Sequence, residues 1–379
     1  MKGNLKIYLQ TITPLHIGNG ETFSPYNDYV FDEKSGTIYF LDQQKVENAF
    51  NALENSEEVI DDFVERVMAS KNTSDTYPLK KFFENHGIHY KELARVAVHT
   101  RADVKSEVIQ QLIKSGARPY IPGSSIKGAI RTALLYVHRK EDGYSIDDAL
   151  LDLFGNKDKK QFHKKSPNGE DLFCAFGNDI LKYLHVSDTD LLSPSEIEIV
   201  KTFRFDLRKK AATVPITKEV IPENKTLSFR LQCKANKKFH NLNERFSYLY
   251  AQNDFRGEYS ILYMVNIFTK EILEKELSVL KETNIPELQQ ITKQYENLYK
   301  AAQQFEKERN GAVLRLGSGK TFFDQTINSL FSDHDLKKLR KRLNLDSYEP
   351  FPKTRAVIEN VNLYESVLGW VYLRPLTEE

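Results

Sequence analysis

Residues 120–140, YIPGSSIKGAIRTALLYVHRK, run from a Pro-Gly-Ser turn straight into a helix-forming segment that holds lysine, arginine and histidine but no acidic residue. Pro122 and Gly123 suit the turn. A hydroxyl of Ser124 or Ser125 can cap the helix by accepting from first-turn N–H groups that have no carbonyl partner. Ile126, Ile130, Leu134 and Val137 recur on one face, while Lys127 and Arg131 stand four apart on another. Two cations beside the positive end of a helix dipole suit a phosphate group. The plainer reading is a capped amphipathic helix with solvated charges.

Outward from this stretch, the chain has 379 residues, 40% of them hydrophobic, enough for two or three ordinary domains. No early segment reads as a signal peptide and no apolar run spans a membrane, so a cytoplasmic protein is expected. Cys174 and Cys233 form no ligand pattern, and buried free thiols are expected rather than a disulfide or zinc site. The formal net charge is +1, from 54 basic and 53 acidic residues. Between positions 109 and 140, however, Lys114, Arg118, Lys127, Arg131, Arg139 and Lys140 occur without one acid. A locally basic face on a neutral chain suits a protein that meets both nucleic acid and other proteins.

Period-two alternation marks LKIYLQTI (5–12) and TLSFRLQC (226–233) as strands. Shorter strands are expected at TIYFLD, YLHVSD, EIVKTFRF, GAVLRLG and LGWVYLRP. Asp42 is placed to cap the helix QQKVENAFNAL. A helical pattern is expected over 56–115, a mobile lysine-rich loop over 155–169, and a helical hairpin over 270–309 broken at Ile285-Pro286. Strands separated by more than one helix favour an α+β fold over a doubly wound sheet.

Three further groups could carry chemistry. RLGSGKTFFDQTI (315–327) has a P-loop's strand-glycine-helix order, but a Walker motif needs glycine where Leu314 stands. What remains is a Gly-Ser-Gly turn flanked by Arg315 and Lys320, which reads equally well as a phosphate contact or a tight connection. In TPLHIGNG (13–20), His16 precedes Gly18 and Gly20; histidine can serve as a base near neutral pH, and a loop histidine can also be purely structural. Asp28 and Asp32 are too scattered to define a metal site. In KTFRFDLRKK (201–210), Arg204 and Arg208 accompany Phe203 and Phe205, a combination of stacking rings and cations found on single-stranded RNA surfaces. A strand with buried rings and exposed charges fits the same residues.

Taken in order, TPLHIGNG, YIPGSSIKGAIRTALL, LHVSD, EVIP before TLSFRLQC, the late glycine loop, and PKTR with LGWVYLRP resemble the RAMP superfamily, the repeat-associated proteins of CRISPR systems. Within it, the chain resembles the Csm-type subunits that cap the backbone filament of type III-A effector complexes. The resemblance implies an α+β fold of two ferredoxin-like, RRM-related units: 1–205 with a helical insertion near 51–115, and 206–379 with one near 270–309. It implies binding to the 3′ region of guide crRNA without reading its sequence, and docking onto the repeated backbone subunit and other Csm subunits. Target RNA would lie nearby and separate nucleases would trim the guide; no cofactor, metal, membrane or catalytic residue of its own is implied. The implied RNA contacts are His16, Gly18, Gly20, Gly123, Ser124, Ser125, Lys127, Arg131, Arg315, Gly317, Gly319 and Lys320, with Arg204 and Arg208 from the strand above. The alternative is a metal-independent guide-processing endoribonuclease with His16 as base and Lys127 or Lys320 stabilising developing charge.

Overall fold

The computed structural model describes residues 4–69, 79–100, 102–104, 107–154, 169–173, 179–213, 215–235, 244–250, 260–344, 349–360 and 363–376. β1 (Asn4–Thr11), β2 (Gly18–Phe23), β3 (Tyr29–Asp32) and β4 (Thr37–Leu41) precede α1 (Gln43–Asn51), α2 (Ser56–Ala69) and α3 (Leu79–Asn85). β5 (Ala94–His99), β6 (Ile109–Leu112) and the small hairpin β7 (Lys114–Ser115) and β8 (Arg118–Pro119) lead into α4 (Gly123–Glu141), α5 (Ile146–Phe154) and α6 (Glu170–Phe173). Next come β9 (Leu184–Val186), β10 (Glu198–Asp206), β11 (Ala211–Ala212), β12 (Ile216–Val220) and β13 (Thr226–Cys233). α7 (Ile261–Thr283) and α8 (Gln289–Glu308) are followed by β14 (Ala312–Arg315), α9 (Phe322–Gln325), α10 (Asp333–Arg342), β15 (Thr354–Asn360), β16 (Leu363–Val367) and β17 (Trp370–Pro375).

Two sheets carry the α+β architecture. One is antiparallel in the order β14-β17-β1-β13-β9; the other runs β16-β15-β10-β12-β6-β2, with β12 and β6 parallel and β11 beside β10. β1 turns Ile7 and Leu9 inward, and β13 answers with Leu227, Phe229 and Leu231, so α4 and α7 pack on that face. In α4 the anticipated stripe of Ile126, Ile130, Leu134 and Val137 is buried. Each such large apolar side chain contributes about 1.5–3 kcal/mol relative to exposure. Buried Ala129 and Ala133 widen the stripe, and His138 and Arg139 are also buried, so this helix is far more enclosed than its charges suggest. α7 and α8 form the expected hairpin. Left-handed Asn284 closes α7 by donating its N–H to Leu280, and Pro286 opens the next turn. Phe205, Val357 and Trp370 pack with this hairpin in a second core, and α1 to α3 build a third with β3 and β4.

Several expectations are corrected here. The turn hands directly to the helix at Gly123, with Pro122 as N-cap, so neither Ser124 nor Ser125 caps it. The helical pattern assigned to 56–115 ends at Asn85; Ala94–His99 pairs with β4, and Ile109–Leu112 lies between β12 and β2. A boundary at position 205 does not separate the sheets, because β1 pairs with both β13 and β17, and β10 with both β12 and β15. Asp42 does cap α1, accepting from Gln44 and Lys45. Cys233 is a buried free thiol, whereas Cys174 and nearly all of the lysine-rich loop lie outside the described residues. Among the described residues no helix is long and apolar enough to cross a membrane.

Candidate nucleic-acid interface

The late glycine loop and the His16 loop, some 300 positions apart in sequence, are packed backbone to backbone. Leu316 donates its N–H to Gly369 (2.8 Å), Gly369 to Pro14 (2.9 Å), and Ser318 to the carbonyl of His16 (2.8 Å). Gly317 sits at φ +62°, and a Cβ there would lie 2.2 Å from that same carbonyl oxygen. Only glycine combines this left-handed backbone with so close an approach. The loop is therefore a braced turn, and its Ser318 N–H is spent inside the protein instead of facing outward as in a P-loop.

Under the turn lies a residue the sequence reading missed. Lys218 of β12 is 9% exposed, and its ammonium donates to the Ser318 hydroxyl at 2.9 Å. Among the described residues it has no carboxylate partner, and burial alone pushes its pKa down. A buried cation held by one neutral hydroxyl is costly unless an anion completes the site. The next residue behaves in the opposite way: buried Glu219 accepts from Leu112 N–H (2.8 Å) and Lys114 Nζ (2.7 Å). Burial raises its carboxyl pKa, with Lys114 pulling the other way. Lys320 is half-buried; burial lowers its pKa, Asp324 opposes that shift and Arg315 adds to it.

His16 is 4% exposed and donates Nδ1–H to the Glu219 carbonyl at 2.7 Å. Burial lowers its pKa to about 4, so the ring is neutral at physiological pH. General-base catalysis calls for a pKa near the working pH and a ring that reaches its substrate, and His16 offers neither.

Arg315 corrects an expectation. It is buried, paired with Asp324 (2.8 Å), bonded to the Leu368 carbonyl (3.1 Å), with its guanidinium carbon 5.1 Å from the Trp370 ring centre. Asp324 also accepts from Thr321 N–H, while Thr321 and Arg355 both donate to buried Glu276. This network braces the glycine loop from below, which is an internal role and not an RNA contact.

The 120–140 turn forms a second group, beside the edge strand β9. Asp188 accepts from Gly123 N–H at 2.7 Å, supplying from 65 positions away the cap expected from the serines. A Cβ on Gly123 would stand 2.3 Å from the Val186 carbonyl. Ser124 is exposed and Ser125 half-buried. Arg131 is ion-paired with Asp179, its guanidinium 4.8 Å from the Phe173 ring centre, and half-buried Lys127 has its pKa lowered by burial. Gly18 and Gly20 are exposed on β2. Arg204 and Arg208 are exposed as well, but Phe205 is buried in the helical-hairpin core and Phe203 packs beside it, so these rings are not a stacking surface for bases. Asp32 is held by Lys80 and Lys91, and the described residues contain no cluster of three or more metal-ligating side chains.

Comparison with known proteins places these features in context. A model of the RAMP superfamily matches residues 8–323. The chain is 27% identical to the CRISPR system Cms protein Csm5 of Methanocaldococcus jannaschii, across 97% of this chain and 88% of that one. It is 26% identical to a Csm5 of Streptococcus thermophilus across 60% and 63% of the two chains. Its fold resembles a chain in a cryo-EM structure of a type III-A Csm-crRNA-target RNA complex, with a TM-score of 0.68, 20% identity, and coverage of 98% of this chain and 100% of that one. It also resembles the crystal structure of T. onnurineus Csm5, with a TM-score of 0.60, 19% identity, and coverage of 96% and 99%.

Proposed function

Because this chain belongs to the RAMP superfamily, we propose that it is a non-catalytic subunit of a type III-A Csm ribonucleoprotein. It holds the 3′ region of the guide RNA, caps the filament of repeated backbone subunits and supports guide trimming by separate nucleases. Its likeness to Csm5 proteins along nearly the whole chain supports the assembly. The observation that carries the RNA assignment is Lys218, a buried ammonium with no carboxylate partner among the described residues, held under a glycine turn by the Ser318 hydroxyl. Lys218 and Lys320 stand at this turn and supply charge to a phosphate backbone without reading bases. The neutral, enclosed His16 supports a holding role over cleavage.

The test is Lys218→Met in the full chain, titrated with guide-length single-stranded RNA over a range of salt. RNA affinity should fall about threefold to tenfold. The slope of log affinity against log salt should flatten by about 0.7, the value for one phosphate contact on a single strand. Thermal stability should hold or rise, since the substitution removes an unpaired buried charge. Unchanged affinity and slope would overturn the assignment of Lys218.

A further inference from the structure

The five-stranded sheet has a second face. Where β1 turns Ile7 and Leu9 into the core, Lys6 and Tyr8 point the other way; where β13 buries Phe229 and Leu231, Arg230 is exposed; and β17 ends with exposed Arg374 beyond buried Leu373. α8 packs against β14, and its Phe305 meets Tyr372 edge-on with ring centres 5.4 Å apart. The β1-β13-β9 side stays open: Tyr8 is 39% exposed and His185 of β9 is exposed.

The register concentrates positive charge there. Lys6 stands directly opposite Arg230, and Tyr8 stands opposite Arg374. Like charges facing each other across an antiparallel pair are destabilising. Among the described residues, no carboxylate pairs with Lys6, Arg230, Arg374 or neighbouring Lys234. Asp190, whose carboxylate reaches Ser228 of β13, is taken up by the N–H and hydroxyl of that residue. His185 reports the same field: burial, Lys234 and Lys127 all lower its pKa. The Lys6 ammonium lies 5.9 Å from the Tyr8 ring centre, so aromatic surface and charge are contiguous.

We infer that this open face is a second binding surface for single-stranded RNA, in which a base stacks on Tyr8 while phosphates meet Lys6, Arg230 and Arg374. An exposed ring among cations that have no carboxylate partner among the described residues supplies the two elements such recognition requires. Charge alone would equally suit an acidic protein; the solvent-facing ring in its midst favours a nucleobase. The surface is separate from the glycine loop. Lys6 lies five residues before Thr11, at the far end of β1 from the His16 loop, a span of roughly 17 Å at strand spacing.

The experiment titrates the full chain with a fluorescein-labelled oligouridine and uses the anisotropy to obtain affinity at several salt concentrations. The variants are Lys6→Glu/Arg230→Glu, Tyr8→Ala, Tyr8→Phe and Lys6→Arg. The charge-reversal pair should weaken binding at least tenfold and flatten the salt slope by about 1.4, for two lost contacts. Tyr8→Ala should weaken binding several-fold. Tyr8→Phe and Lys6→Arg should bind as the parent does, which separates loss of stacking and charge from loss of fold. Parent-like affinity and slope in the charge-reversal pair would overturn the proposal, as would a polyglutamate peptide that displaces the RNA at equal charge concentration. Lys218→Met in the same assay keeps the two surfaces apart: if it alone weakens binding, the glycine-loop site stands and this one falls.

Discussion

Gly317 and Gly20 both lie at positive φ, at +62° and +90°, yet their surroundings differ. A Cβ at Gly317 would collide with the His16 carbonyl, whereas one at Gly20 meets nothing within 4 Å. Gly317→Ala should therefore cost about 2–4 kcal/mol, combining backbone strain with steric overlap. Gly20→Ala should cost about 1 kcal/mol from strain alone. Chemical denaturation of the two variants beside the parent measures the difference; equal losses would show that the two loops are not locked together. At this scale the sequence was uneven. It presented His16 and the glycines as loop features, but it hid Lys218, since a lysine in ITKEV looks like any solvated strand residue until β6 and the Ser318 loop close over it. The one available signal was phase, because Lys218 shares a strand face with Val220. Arg315 failed in the opposite sense: it reads as a loop-flanking cation, and only its pairing with Asp324 reveals an internal brace.

Elements whose residues carry their own pattern were legible: β1 and β13 by alternation, α1 by its Asp42 cap, and the α7-α8 hairpin by the break at Ile285-Pro286. Elements that depend on distant partners were not. β5 and β6 were absorbed into a helical pattern because their pairing partners, β4 on one side and β12 with β2 on the other, supply what their short sequences lack. The cap of α4 comes from Asp188, which no local capping signal announces. α4 also holds His138 between Tyr248 and Arg245, and burial keeps its pKa near about 4, as it does for His16. Both rings are neutral in the fold, whereas in the unfolded chain they take up protons from about pH 6.5 downward. Their contribution is therefore intact above about pH 6.5 and is lost as pH falls towards about 4, up to about 3 kcal/mol for each ring. Denaturant unfolding at pH 7 and pH 5 should show this loss, and a His16→Asn/His138→Gln variant should have a flatter profile. An equal slope in parent and variant would contradict the buried, neutral assignment.

At the scale of the whole molecule, the α+β class and family resemblance were readable from ordered motifs, but the division into an N-terminal and a C-terminal half was not. The first and last strands pair side by side, so each sheet draws on both ends of the chain, and a linear boundary cannot describe it. That closure is also what brings TPLHIGNG against the late glycine loop, packing together motifs from opposite ends of the sequence. The most direct test of its function is to recover the tagged full chain from its native cell, identifying the co-eluting RNA and proteins and assaying the eluate on repeat RNA. The account predicts guide-length RNA together with other Csm subunits, with the chain itself cutting nothing. A chain recovered without RNA and without those subunits, or one that cleaves repeat RNA in a His16-dependent manner, would contradict it.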